Sequence, residues 1–280
     1  MCGPFKGCQG ILRLLEIIFS ALTLIIVIFR GRMVSPWGIW CEFVWVFCIV
    51  VPVVVTVMEA LKWQILMAPI LPDWAGLTCG LTTLCAEMIT SATIIFAAVF
   101  VCLTCISSIL CFITSLVATV CFLIDAVMHN KTFPSGYLCS LRGSLRTSEA
   151  FLACIIITAA TDHFVNAEWF YRPFGMICSI IVFAVCLLLT VVIIVLNLLK
   201  LLRCLVPFGL SLMELVVNIV AVLSYLLAVI LWAVFGYRRH NYNPYTCNKC
   251  SFADINTVVI GASVNLVLYI VDLVLSFKSR

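Results

Sequence analysis

Charge is what this chain has least of. Asp, Glu, Lys and Arg make up 10% of its 280 residues, against about 25% in an average soluble domain. So few ionic groups cannot cover a surface that faces water, which excludes an ordinary soluble fold. The net charge of +4 is scattered over short segments. That excludes the basic stripe that tracks a phosphate backbone, so no nucleic-acid partner is expected. Proline and glycine are also scarce inside the apolar runs, where Pro52 is the one proline well within a run. Transporters usually break their helices near the membrane midplane, so this scarcity speaks against one. No Ser/His/Asp or Cys/His set, phosphate loop or di-carboxylate motif is present. The reading is therefore of a non-enzyme with no cofactor and no metal. Of the three histidines, His129 and His163 read as isolated, solvated loop residues. His240 alone lies near a cysteine pair, which is too little for a zinc site.

What the chain has in abundance is apolar sequence. It is 65% hydrophobic, with a mean hydropathy of +1.27. A helix rises about 1.5 Å per residue, so crossing about 30 Å of hydrocarbon takes roughly 20 residues. Runs of that length are Ile11–Phe29, Gly38–Leu61, Leu77–Val99, Leu103–Ile124, Leu145–Thr161, Phe174–Leu199, Pro207–Phe235 and Ile255–Phe277. The first is too long for the apolar core of a signal peptide and is expected to stay as a span. The third and fourth lack any charge, Pro or Gly between Glu87 and Asp125. One helix over that stretch would measure about 55 Å, so a tight turn is expected near Thr104–Ser108. Tryptophans at the run edges, among them Trp45 and Trp232, suit the headgroup region. The second and sixth runs are long enough for a thick, sterol-rich bilayer.

The larger share of the sixteen Lys and Arg falls on one side, with both termini, and this places the termini in the cytoplasm. Cys247-Asn248-Lys249-Cys250 would then lie outside, where a disulfide survives. Asn130-Lys131-Thr132 is a glycosylation sequon on the cytoplasmic side, where it would be silent.

The two halves echo each other. Ser35-Pro36-Trp37-Gly38 resembles Arg172-Pro173-Phe174-Gly175, and Phe122-Leu123-Ile124-Asp125 resembles Tyr269-Ile270-Val271-Asp272. Glu16 parallels Glu149, and Glu87 parallels Glu214. The expectation is two parallel four-helix repeats: a first domain at 1–128, a cytoplasmic linker at 129–144 and a second domain at 145–280. Glu16, Glu59, Glu87, Asp125, Glu149, Glu214 and Asp272 all fall toward one membrane side. At the bilayer centre each would cost about 2.5–3.5 kcal/mol, so they must be paired or hydrogen-bonded. Together with Asn218 they read as intramembrane packing groups that fix helix register. An ion or proton site at Glu87 and Glu214 is the sharper alternative, which would make the chain a small transporter or channel of two repeats.

Small residues at Gly76 and Gly80, along Ser107, Cys111, Ser115 and Thr119, and along Ala150, Cys154 and Thr158 permit close helix approach, within the chain or in homo- or hetero-association. Most of the 17 cysteines lie inside spans as small apolar residues. Cys2, Cys8, Cys139 and Cys204 sit beside cytoplasmic span ends and are candidates for palmitoylation.

Phe151-Leu152-Ala153-Cys154-Ile155-Ile156 in the fifth run and Val264 through Val274 in the eighth resemble the myeloid-associated differentiation marker family, whose members carry two tandem four-span MARVEL domains. Leu12-Arg13-Leu14-Leu15 and Ser91-Ala92-Thr93-Ile94-Ile95 match more weakly. The turn between the third and fourth runs is shorter and more apolar than usual in that family, and no long Ser/Thr-rich N-terminal tail is present. The resemblance implies a protein of ordered, cholesterol-rich plasma-membrane patches, tied to trafficking and cortical actin.

Overall fold

The computed structural model describes residues 8–31, 33–69, 73–102, 104–132, 137–166, 173–199, 210–242 and 252–278. Among these residues every regular element is a helix: α1 Cys8–Arg30, α2 Pro36–Ala60, α3 Trp63–Met67, α4 Trp74–Val99, α5 Ile106–Thr132, α6 Leu141–Asn166, α7 Phe174–Leu198, α8 Leu210–Tyr242 and α9 Phe252–Lys278. All except the short α3 are long and apolar enough to cross a membrane. The chain is an all-α, multi-pass membrane protein.

It divides into two compact units, Met1–Ser140 and Leu141–Arg280. In the first, α1 packs on α2, α2 on α4, α4 on α5 and α5 back on α1. In the second, α6, α7, α8 and α9 close the same ring. Each unit is thus an up-down bundle of four long helices.

Local sequence explains the helix ends. Ser35 accepts the Gly38 N–H on its Oγ at 3.2 Å, with Pro36 in the first turn of α2, and Asp73 accepts the Gly76 N–H at 3.0 Å to start α4. These side chains satisfy donors that have no partner inside the helix. Gly31, at φ +108°, closes α1 in a conformation that suits glycine. Pro52 leaves α2 unbroken, and the Thr56 hydroxyl donates to the Pro52 carbonyl at 2.7 Å.

Several boundaries differ from expectation. The break between α4 and α5 falls at residues 100–105, ahead of the expected turn. Ser108 lies inside α5, where its Oγ donates to the Phe100 carbonyl and accepts the Cys102 N–H, both near 3 Å. One hydroxyl thus satisfies two backbone groups of the reversal. α5 continues to Thr132 and α6 begins at Leu141, so much of the 129–144 segment is helical, including the sequon Asn130-Lys131-Thr132. α8 runs past its apolar stretch to Tyr242, because the polar residues after Phe235 continue the helix.

Replacing Asp73 by Ala is expected to lower stability by about 1 kcal/mol, because α4 loses its N-cap. Thermal unfolding of the detergent-purified chain measures this, with Asp73→Asn near the unsubstituted value.

Candidate functional site

Polar side chains gather at one end of each bundle. In the second unit the gathering is a closed network drawn from all four helices. Arg146, 1% exposed on α6, donates from Nε to Asp272 Oδ2 at 3.1 Å. Its two terminal nitrogens reach the two Glu214 oxygens at 3.1 and 3.3 Å. The guanidinium therefore clamps a carboxylate of α8 and one of α9 at once, a fork geometry that lysine cannot copy. Arg142, one turn earlier, reaches both acids at 3.3 Å and also donates to Ser276. The Asn197 amide of α7 donates to Glu214 and the Asn218 amide of α8 to Asp272, each at 2.5 Å. Each acid faces two guanidiniums and an amide, the compensation that buried charge requires.

Arg142 and Arg146, which lie on either side of the expected linker's end at residue 144, are helical and buried or half-buried, four residues apart on one face. That spacing was the available signal, hidden by their place between two apolar runs. Deeper in the same bundle, Asn265 is fully buried at the middle of α9 and donates to the Tyr225 hydroxyl at 2.8 Å. Thr190 and Tyr269 share a hydrogen bond of 2.7 Å. None of the four stands out as a site residue in the sequence: tyrosine and threonine count as ordinary span residues, and Asn265 enters only within the stretch that carries the family resemblance.

The first unit repeats the placement with other partners. Arg13 of α1 donates to Glu59 of α2 at 2.5 Å, and its second terminal nitrogen lies 3.4 Å from His129 Nε2. Asp125 stands 3.8 Å from the same ring nitrogen. His129 is therefore a buried helical residue facing Arg13 and Asp125, not a solvated one. His163 is buried too, its ring edge-on to Trp232 with centroids 6.0 Å apart. Arg13, Glu16, Pro52, Thr82, Cys85 and Asp125 border a small cavity. Glu16 and Asp125 are almost fully enclosed, yet Glu16 Oε1 and both Asp125 oxygens accept no hydrogen bond from the described residues.

Matching contacts set the register between the units. The Cys41 thiol of α2 donates to the Ala92 carbonyl of α4 at 3.6 Å, and the Ser179 hydroxyl of α7 to the Ala228 carbonyl of α8 at 2.9 Å. Thr82 precedes Ala92 by as many residues as Asn218 precedes Ala228, and Thr78 likewise matches Glu214. Counted from these two contacts, Glu214 stands level with Thr78, a different alignment from the expected one of Glu87 with Glu214. Glu87 is half-buried on α4 and does not border the cavity. Where Asn218 donates to Asp272, the shorter Thr82 gives its proton to its own helix, at the Thr78 carbonyl.

The other expected residues are placed as follows. Glu149 is buried on α6 a turn from Arg146. Cys111, Ser115 and Thr119 face the bundle interior, where Thr93 bonds both the Ser115 and Thr119 hydroxyls within 3 Å; Ser107 is exposed. Gly80 packs on the segment after α5, since a Cβ there would lie 2.3 Å from Leu138 Cβ. On α6 the buried face carries Glu149, Ala153, Ile156 and Ala160 rather than Ala150, Cys154 and Thr158. Trp45 and Trp232 are core residues, not interface markers. The Trp45 indole lies edge-on to Phe96 and donates to Ser115 at 3.2 Å. Cys139 is half-buried, its thiol 4.0 Å from the Gly76 carbonyl. Cys8 begins α1; Cys2, Cys204, Cys247 and Cys250 lie outside the described residues.

Removing Arg146 leaves two buried acids undercompensated. Arg146→Ala is expected to cost about 3–5 kcal/mol. Arg146→Lys restores only part of this, and Glu214→Gln in the Arg146→Ala background recovers some of the loss; chemical denaturation in mild detergent reads all three. Conversely, Thr82→Asn gives Asp125 an amide donor and is expected to add about 1 kcal/mol, measured by the same unfolding.

The chain is 25% identical to myeloid-associated differentiation marker-like protein 2 of Xenopus laevis, over 97% of its own length and 92% of that protein's. It is 28% identical to the myeloid-associated differentiation marker homolog of Xenopus laevis, over 98% and 93%. It is 28% identical to the myeloid-associated differentiation marker of Mus musculus, over 96% and 89%. No protein-family model and no solved structure matches it. Over nearly its whole length, then, this multi-pass membrane chain is similar to the myeloid-associated differentiation marker proteins.

Proposed function

We propose that the protein is a non-enzymatic membrane organiser, built as two MARVEL-like four-span domains that gather ordered, cholesterol-rich plasma-membrane patches and tie them to trafficking or cortical actin. The observation that carries this reading is how the polar groups are used. Inside each bundle the ionic and amide groups of the clamp are directed at one another, while the outer faces carry Ile18, Leu22 and Ile25 on α1, Val46, Val50 and Val54 on α2, and Leu223, Leu227 and Ile230 on α8, all exposed. A protein whose polar groups hold helices together and whose outside is apolar has lipid as its first partner. Close-packed faces at Gly80 and at Gly261, where a Cβ would come within 3.1 Å of Ile156, support rigid bundles suited to scaffolding. In this reading both termini are cytoplasmic, Cys2, Cys8, Cys139 and Cys204 can add acyl anchors, and Glu16, Glu59, Glu87, Asp125, Glu149, Glu214, Asn218 and Asp272 serve packing.

A transporter is the competing reading, and the cavity bordered by Glu16 and Asp125 is the feature that favours it. Two measurements separate them. The scaffold reading expects the chain to partition into the liquid-ordered phase of giant plasma-membrane vesicles and to leave it on cholesterol extraction. It also expects purified protein in liposomes to carry no proton or sodium flux. A flux that Glu16→Gln or Glu87→Gln abolishes would replace the scaffold with a transporter.

A further inference from the structure

The reversal between α4 and α5 holds two thiols that no packing role consumes. Cys102 and Cys105 stand in a C-x-x-C spacing just ahead of the first residue of α5, Ile106. Cys105 is exposed and Cys102 half-exposed, whereas Cys41, Cys48, Cys79, Cys85, Cys111 and Cys121 are buried in the bundle. The chain turns back on itself here, the Cys105 N–H donating to the Cys102 carbonyl at 3.1 Å. The Cys102 thiol lies 3.0 Å from the Thr104 hydroxyl. Ser108 fixes the Cys102 N–H, and Arg30 at the end of α1 donates to Ser108 Oγ at 3.1 Å and also reaches the Phe100 carbonyl. A guanidinium and the first turn of α5 are thus anchored at the same reversal as the two sulfurs. The sequence repeats the motif in the second unit: Cys247-Asn248-Lys249-Cys250 stands just ahead of α9, the counterpart of α5.

We propose that Cys102 and Cys105 are a reversible dithiol–disulfide pair, Cys102 attacking and Cys105 resolving, that exchanges with a small-molecule disulfide such as glutathione disulfide. Thiolate is the attacking species, and hydrogen bonds from Thr104 and then from Cys105 bring the Cys102 thiol down to about 7 from the usual thiol range. Cys102 sulfur bonds to one sulfur of the small disulfide, and the other leaves as a thiolate that takes up a proton. Cys105 then loses its proton and attacks the Cys102 sulfur, forming the internal bond and expelling the second small thiol. Two protein thiols and one small disulfide become one protein disulfide and two small thiols, so electrons and protons balance. The reversal would face the non-cytoplasmic side, where such disulfides persist; that clause rests on the topology proposed above.

The test uses the full-length chain in detergent, incubated with glutathione disulfide and mapped by peptide mass after alkylation. Two hydrogens are expected to be lost across the peptide carrying Cys102 and Cys105, restored by reductant. Cys105→Ser is expected to trap glutathione on Cys102, at about three times the rate at which Cys102→Ser traps it on Cys105. Absence of the internal bond in the unsubstituted chain, or equal trapping in the two variants, would overturn the proposal. Topology is read separately on intact cells, where a membrane-impermeant maleimide is expected to label Cys105 after reduction. Labelling only after permeabilisation would reverse the topology, while the exchange in detergent still decides the pair.

Discussion

An arginine enclosed among apolar helices must be met by acids, and the acids it meets decide which helix faces turn toward each other. Arg146 is satisfied only if α8 presents Glu214 and α9 presents Asp272 at the same depth, and those two acids are completed by the amide donors of Asn197 and Asn218. Rotating any one helix by a residue would strand a charge in lipid, where the penalty is several kcal/mol. Between helices that are apolar on every side, dispersion forces discriminate little among rotations, because lipid tails are as apolar as leucine. The ionic clamp supplies the discrimination. With register fixed at that end, Asn265 meets Tyr225, Tyr269 meets Thr190 and Ser179 meets the Ala228 carbonyl further along.

The first unit reaches the same architecture with less charge in its clamp. Arg13 takes Glu59, and His129 stands between Arg13 and Asp125. Register there is carried instead by hydroxyls, with Thr93 tied to Ser115 and Thr119, Trp45 to Ser115 and Thr23 to Thr114. Hydroxyls of this kind first satisfy a carbonyl of their own helix, as Thr119 does at Ser115, and reach across only with what remains. Each contributes less than an ion pair, so several are needed where the second unit uses one arginine.

How much of this the sequence revealed depends on the length scale of each signal. Eight spans were legible because a 20-residue apolar run is a long-range average that local detail cannot disguise. The acids were legible as a group, since a carboxylate in an apolar run demands a partner. The partners themselves were not. Arg142 and Arg146 belong to a polar stretch, and only the helical continuation of α6 turns that stretch into a face. His129 looked like a loop residue for the same reason, as α5 continues past the end of its apolar run. Trp45 and Trp232 misled because an indole near a span end suits either a headgroup or a core, and only packing against Phe96 or His163 decides. The correspondence of Glu214 with Thr78 could not come from matching like residues, because the two units answer the same geometric demand with different chemistry.

That difference in chemistry bears on how the proposed scaffold would behave. In the second unit the two acids of the clamp, Glu214 and Asp272, have their donors, although Glu149 Oε1 and Asn265 Oδ1 accept no hydrogen bond from the described residues. In the first unit Glu16 Oε1 and both Asp125 oxygens, at the border of a small cavity, accept no hydrogen bond from the described residues, beside Pro52, where α2 lacks one backbone hydrogen bond. Helices joined by fewer fixed contacts yield first when bilayer thickness or lateral pressure changes. Among the described residues of this chain the clamp of the first bundle has fewer ionic contacts than that of the second, and its Asp125 carries the weaker of the two compensations.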